Sequence, residues 1–218
     1  MKPLVVIPAF NTNNEVKTLI EQILEQNKID ILIIDDGSND KIIVDNYSNV
    51  VLLRNKVNRG KGYTLKKSIK YASLNKYSHI ISIDSDLQHD PIHISDFINK
   101  GEDNDIVFGV REFSKPMPLH RILSNKLTSL IISRIVKNNI KDSQSGYRMY
   151  NMSIFKNKNL QENGFHFESE IILKCINKNS IIQNVPIQTI YNDSLSSIKN
   201  FSDTIKFITL ITKHCFAR

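Results

Sequence analysis

The sequence predicts an α/β protein built on a doubly wound, mostly parallel central sheet flanked by helices. Three observations predict it. Short runs rich in β-branched residues alternate with stretches of helical periodicity. The runs are almost continuously apolar, as strands covered on both faces must be. Unusual polar segments follow the runs directly, where open α/β sheets hold their ligands.

Strands are expected at Leu4–Ile7, Ile31–Ile34, Val50–Leu53, Ile80–Ile83 and Ile106–Val110. A helix from about Asn14 to Gln26 carries Val16, Leu19, Ile20, Ile23 and Leu24 on one face, with Thr12 or Asn13 as its cap. A second, from about Gly62 to Leu74, turns Leu65, Ile69 and Ala72 inward. A third follows Pro91, a residue suited to a first helical position, and carries Ile94, Phe97 and Ile98. The second half is less regular. It offers a helix from about Leu119 to Val136, a structured loop entering a strand over Asp142–Asn151, and a helix within "FESEIILKCI" (Phe167–Ile176). Strands broken near Pro186 follow over Ile181–Tyr191, and a last helix runs from about Phe201 to Lys213.

The length of 218 residues fits one large domain spanning 1–218. Apolar content of 40% with 23% charged residues fits a soluble globular chain. The net charge of +7 suits an anionic partner without choosing among phosphorylated substrates, lipids and nucleic acid. Nucleic acid is disfavoured because no basic stripe is interleaved with aromatics. Cys175 and Cys215 form no CxxC pair and read as reduced thiols of a cytoplasmic protein. The opening "MKPLVVIPAFN" is a first strand, not a leader, because Pro8 interrupts a short apolar run. No stretch approaches the roughly 18 apolar residues needed to span a bilayer, so any membrane contact is peripheral.

Three motifs carry the chemistry. In "DSDLQH", Asp84 and Asp86 share a parity at a strand end. Two neighbouring carboxylates repel each other, and a hard divalent cation such as Mg²⁺ or Mn²⁺ would hold them, with the amide oxygen of Gln88 as a further donor. Alone, the segment reads equally as a solvated acidic turn. His89 and His93 have i, i+4 spacing but read as surface residues at a helix start. In "DDGSND", Asp35 and Asp36 close a strand where a carboxylate can accept from a ribose or base, or where the turn merely caps a helix. In "NRGKG", the glycines permit close backbone approach, and Lys61 opens a helix whose N-terminus attracts anions. It has neither Walker nor GxGxxG spacing.

Taken together and in order, "VVIPAFN", "IDDGSND", "NRGKG", "DSDLQHDP", "DIVFGVRE", "DSQSGYRMY" and "FHFESEIILK" resemble the motifs of family 2 glycosyltransferases. "DSDLQH" and "SGYR" are most similar to the polyprenyl-phosphate, dolichol-phosphate mannose synthase-like, sugar transferases. The resemblance covers roughly residues 3 to 190. It implies a GT-A fold, a nucleotide-diphospho-sugar donor (UDP- or GDP-sugar), Mg²⁺ or Mn²⁺, and inversion at the anomeric carbon. It also implies a nucleotide-sugar half over about 1–110 and an acceptor half over about 111–218.

By that resemblance Pro8, Ala9, Phe10 and Asn11 would line the nucleotide pocket, Asp36 would contact the nucleoside, and Gly60 and Lys61 would stand beside the donor. Asp84 would face the donor sugar, and Asp86 and Gln88 would bind the metal. Arg111 and Arg148 would meet phosphate charge, for which a guanidinium fork is suited. An anionic lipid-phosphate acceptor needs no strong base, whereas a glycan hydroxyl requires one, from Asp142, Glu168 or Glu170. Glu168 and Glu170 share a parity, so only one would face the site in an extended segment. Both acceptors stay open, because the region matching the family's basic lipid-phosphate segment, Tyr191–Asn200, holds only Lys199. The terminal helix either closes the core or rests Lys199, Lys206 and Lys213 on headgroups at the cytoplasmic face of a membrane. Competing readings are a nucleotidyltransferase, which would want a glycine- and basic-rich loop where "IPAFNTNN" stands, and a non-catalytic nucleotide-sugar binder.

Overall fold

The computed structural model describes residues 1–44, 47–112, 119–188, 190, 207 and 209–212. Seven strands form one sheet in the order β3-β2-β1-β4-β6-β5-β7. They are β1 (Pro3–Ala9), β2 (Asp30–Asp35), β3 (Val50–Arg54), β4 (His79–Ser82), β5 (Ile106–Arg111), β6 (Arg148–Asn151) and β7 (Ile182–Ile187). Every neighbouring pair is parallel except the two that β6 makes, with β4 and with β5. The helices are α1 (Asn13–Gln26), α2 (Lys61–Leu74), α3 (Ile94–Gly101), α4 (Leu119–Val136) and α5 (Phe167–Cys175).

Strand parity explains the continuous apolar runs. Leu4, Val6, Leu32, Ile34, Ile80 and Phe108 face one way, onto Leu65 of α2, Ile132 of α4 and Ile172 of α5. Val5, Ile7, Ile31, Ile33, Ile81 and Val107 face the other way, onto Val16 and Leu19 of α1 and Phe97 of α3. Each strand thus feeds two cores, and each buried aliphatic side chain contributes about 1.5–3 kcal/mol.

Several elements differ from expectation. β6, which belongs to the second half of the sequence, is inserted between β4 and β5 of the first. The boundary near residue 110 therefore does not separate the strands in space. β7 runs unbroken through Pro186. It is an edge strand, and Asp105 and Glu112 donate to the carbonyls of Ile181 and Ile187. Odd-numbered residues of β7 thus face β5, and the ring nitrogen of Pro186 faces the open edge, where no donor is needed. Thr12 stands at the N-cap of α1 without capping it, because its hydroxyl pairs with Ser85 Oγ at 2.9 Å. Phe167–Cys175 is helical from its start, which removes the parity argument between Glu168 and Glu170.

Residues 207 and 209–212 are helical, with Leu210 buried in the core and Phe207 and Ile211 packed against it. Tyr191–Asn200, the residues Phe201, Ile205 and Ile208, the lysines Lys199, Lys206 and Lys213, and Cys215 lie outside the described residues. No helix among the described residues is long and apolar enough to cross a membrane.

Candidate active site

β1, β2 and β4 are parallel neighbours, so their carboxyl ends open at one edge of the sheet. The "DSDLQH" turn leaves β4 there. Leu87 adopts φ +58°, and Gln88 N–H donates to Asp86 Oδ1 at 3.1 Å. The turn is pinned on two sides. Ser85 holds Thr12, and Ile190 N–H donates to the Gln88 carbonyl at 3.0 Å.

Beside it lies a compact charge cluster. Lys61 Nζ, at the first position of α2, is 2.6 Å from Asp84 Oδ1 and 3.2 Å from Glu168 Oε1. Burial would lower the Lys61 pKa, but the two carboxylates outweigh it and raise it. Burial pushes Asp84 up, but Lys61 and then His89 outweigh it and hold its carboxyl low. Asp86 is raised, by its burial and then by the charge of Asp84.

Gly146 makes room for the cluster, since a Cβ there would lie 2.5 Å from Asp84 Oδ2 and 2.7 Å from Lys61 Nζ. The sequence reading passed over this glycine, although "SGYR" contained it. Gly146→Ala should part Lys61 from Asp84. Turnover should fall by about 100-fold, the scale of a 1 Å misplacement at a reacting centre. Steady-state kinetics checks this, with circular dichroism confirming an unchanged fold.

Asp36 is buried, and both oxygens serve its own chain. It accepts from Asn55 Nδ2 at 2.7 Å, Gly60 N at 2.7 Å and Arg59 N at 3.0 Å. The carboxylate thus has a structural role, because unpaired backbone N–H groups in this loop would be costly. Gly60 has φ +93°, and a Cβ would lie 2.5 Å from the Asn163 carbonyl oxygen, so the loop requires glycine twice over. Pro8 and Ala9 end β1, and Phe10 is exposed at the mouth. Asn11, at φ +55°, accepts from Asn39 N at 2.9 Å and donates its own N–H to Ser38 Oγ at 2.8 Å. The β1 and β2 loops are thereby held as one rim.

Across the mouth, Arg111 Nε donates to Asp142 Oδ2 at 2.8 Å and its Nη2 to Oδ1 at 3.0 Å. Asp142 also accepts from Asn125 Nδ2, Gln144 N and Ser145 N. Its burial acts upward, but Arg111 and these donors outweigh it and hold the carboxyl below its ordinary range. It is a holder of Arg111 and a poor base.

Arg148 departs most from expectation. It is wholly buried, and its guanidinium donates to the carbonyls of Ser145 (2.7 Å), Ser143 (2.7 Å) and Glu168 (3.2 Å). It fastens the loop before β6 to α5 and does not meet phosphate. Glu170 is likewise occupied, by the N–H groups of Gln161 and Glu162 and by Lys174.

His89, expected at the surface of a helix start, is buried with its ring 5.6 Å from that of Tyr147. His93 is the outer one and pairs with Asp96. Burial pushes the His89 imidazole down to about 4. The unfolded chain therefore takes up a proton below about pH 6.5 that the folded chain refuses, and stability is lost between there and pH 4. The loss should be on the order of 3 kcal/mol and should shrink in His89→Gln, as read from urea midpoints at pH 7, 6, 5 and 4.

The donors fit a divalent cation. Asp86 is a half-buried carboxylate whose ionised form is penalised by Asp84, and a cation would relieve both penalties. Among the described residues no three acidic, His or Cys side chains converge. Mg²⁺ sites commonly use one or two protein carboxylates and leave water and phosphate to complete the shell.

Comparison with known proteins agrees with this geometry. The model of glycosyl transferase family 2 matches residues 4–158. An uncharacterized protein of Methanocaldococcus jannaschii is 33% identical over 98% of this chain and 99% of its own. The UDP-N-acetylglucosamine–dolichyl-phosphate N-acetylglucosaminyltransferase of Methanococcus voltae is 27% identical, covering 86% of this chain and 85% of its own. Among solved structures, glucosyl-3-phosphoglycerate synthase of Mycobacterium tuberculosis, in complex with Mn²⁺, UDP and glucosyl-3-phosphoglycerate, superposes with a TM-score of 0.75. That match has 16% identity and covers 98% of this chain and 80% of the other. A doubly wound, mostly parallel sheet of the GT-A type, with its polar cluster at the strand ends and the family match across most of the chain, leads to one conclusion: the chain belongs to glycosyl transferase family 2 and is a glycosyltransferase.

Proposed function

We propose that the protein transfers a sugar, with inversion, from a UDP-sugar to a polyprenyl phosphate at the cytoplasmic face of a membrane. One observation carries the choice of acceptor. Each carboxylate offered as a base is already paired: Asp142 with Arg111, Glu168 with Lys61, and Glu170 with Lys174 and two backbone N–H groups. A glycan hydroxyl would need one of them unpaired. A phosphate oxygen arrives ionised and needs none. The UDP donor and the lipid-phosphate acceptor also match the name of the Methanococcus voltae relative.

In this reading the rim formed by Pro8, Ala9, Phe10 and Asn11 takes the nucleoside, and the Gly60–Lys61 loop stands beside the diphosphate. Asp84 faces the donor sugar and is held in place by Lys61. Glu168 steadies Lys61 from the other side. Arg111, fixed by Asp142, attracts the acceptor phosphate and directs an oxygen at the anomeric carbon in line with the departing diphosphate. Mg²⁺ or Mn²⁺, when bound by Asp86 and the Gln88 amide, supplies neutralisation of the leaving group. Preorganised charge of this kind is the largest source of rate in such transfers.

The test is transfer of radiolabelled sugar from UDP-glucose, UDP-N-acetylglucosamine or GDP-mannose to detergent-dispersed polyprenyl phosphate, with Mn²⁺ present or chelated. A lipid-linked product from one UDP-sugar, lost on chelation, is the expected result. Transfer only to a free glycan, or only from the GDP-sugar, would refute the reading.

A further inference from the structure

Helix α4 is apolar on both faces. Its inner face packs Ile132 and Val136 into the core beside a set of polar contacts: Asn125 donates to Asp142 at 3.0 Å, Ser129 Oγ to Ser143 Oγ at 3.0 Å, and Ile140 N–H to Ser133 Oγ at 2.9 Å. Its outer stripe is leucine. Leu123, Leu127 and Leu130, at i, i+4 and i+7, lie on one ridge and are 67%, 58% and 49% exposed. Exposed Lys126, Arg134 and Lys137 surround that ridge, and no acidic residue occurs in the sequence from Phe113 to Lys141. A helix that only closed the core would show a polar outer face.

We infer that the outer face of α4 is a docking surface for an anionic lipid bilayer, with the three leucines entering the acyl boundary and the cations meeting headgroups. Two features of the face choose the bilayer. An apolar ridge framed only by cations suits anionic lipid. A second copy of the chain would bring like charges together over a ridge of three side chains, far short of the roughly 800 Å² per partner of a stable interface. The inference rests on the reading that the acceptor is a polyprenyl phosphate, and it adds the element that meets the membrane holding that acceptor. The same helix positions Arg111 through Asn125 and Asp142, so docking would set the acceptor-facing arginine at a fixed depth from the bilayer surface.

The experiment is flotation of the full chain with phosphatidylcholine vesicles, with and without 30% phosphatidylglycerol. We compare wild type, L123S/L127S/L130S and K126E/R134E/K137E. The anionic vesicles should bind wild type at least about tenfold more strongly than the neutral ones, and 0.5 M NaCl should weaken binding. Both variants should lose about tenfold or more, while their melting transitions and nucleotide-induced shifts are retained. A single Leu127→Cys carrying an environment-sensitive dye should blue-shift on anionic vesicles, and this reading stands if the triple variant fails to fold. Binding unchanged in the leucine variant, no dye shift, or a wild-type dimer that dissociates in the leucine variant without vesicle binding would each overturn the inference. Vesicle binding through the leucines with no sugar transfer to polyprenyl phosphate would refute the acceptor and leave the docking face standing.

Discussion

Asp86→Asn should abolish most turnover while leaving the fold intact. Its carboxylate accepts the Gln88 N–H, and burial and the neighbouring Asp84 hold it above the ordinary carboxylate range. Removing its charge therefore costs the folded protein nothing and relieves repulsion. The melting temperature should hold or rise slightly. The reaction loses an oxygen donor for a cation and the negative charge that retains it. Loss of one preorganised electrostatic partner costs about 100- to 1,000-fold in kcat. Steady-state transfer measured over a Mn²⁺ titration checks this, with saturation displaced to higher Mn²⁺. Wild-type turnover in Asp86→Asn at low Mn²⁺ would remove Asp86 from the site.

Arg148→Met should destabilise the protein severely. The side chain is fully buried and satisfies the carbonyls of Ser143, Ser145 and Glu168. Methionine fills part of the volume and leaves those acceptors without donors in a region water does not reach. Breaking a buried charged network by removing one partner costs about 3–5 kcal/mol. Urea unfolding should show a lowered midpoint with an unchanged slope. A substrate-binding arginine would behave differently, losing affinity for anionic substrate while keeping the midpoint. The comparison therefore separates the scaffold role from the phosphate role at one residue.

Much of the fold was legible because its strands are covered on both faces. Continuous runs such as Leu4–Ile7 and Ile31–Ile34 have one physical explanation in a chain of this length, and the helices between them show a plain apolar stripe. The pairing of β6 was not legible, because "RMYN" says nothing of which strands it will separate. Nor was the continuity of β7 through Pro186, which depends on that strand lying at an edge.

The site divides the same way. The structure brings Lys61 against Asp84 and puts Asp86 and Gln88 in one turn, a grouping legible because acidic pairs and glycine-flanked lysines stood at strand ends. Arg148 was misread because a guanidinium looks the same in sequence whether it faces a ligand or three carbonyls of its own chain. His89 was read as a surface residue because it was placed at a helix start, where side chains are commonly solvated. The structure instead begins a 3-10 turn at Pro91, after Asp90 has capped it.

The interleaving of strands limits how the enzyme can move. β6 registers four residues against β4 and three against β5, and β5 in turn carries β7. The segment that presents Gly146 and Arg148 is thus stitched through the middle of the sheet that presents Asp84. A hinge opening between β4 and β5 would have to break those ladders. The spacing between the end of β4, which leads to Asp84, and the end of β5, which carries Arg111, is set by those ladders.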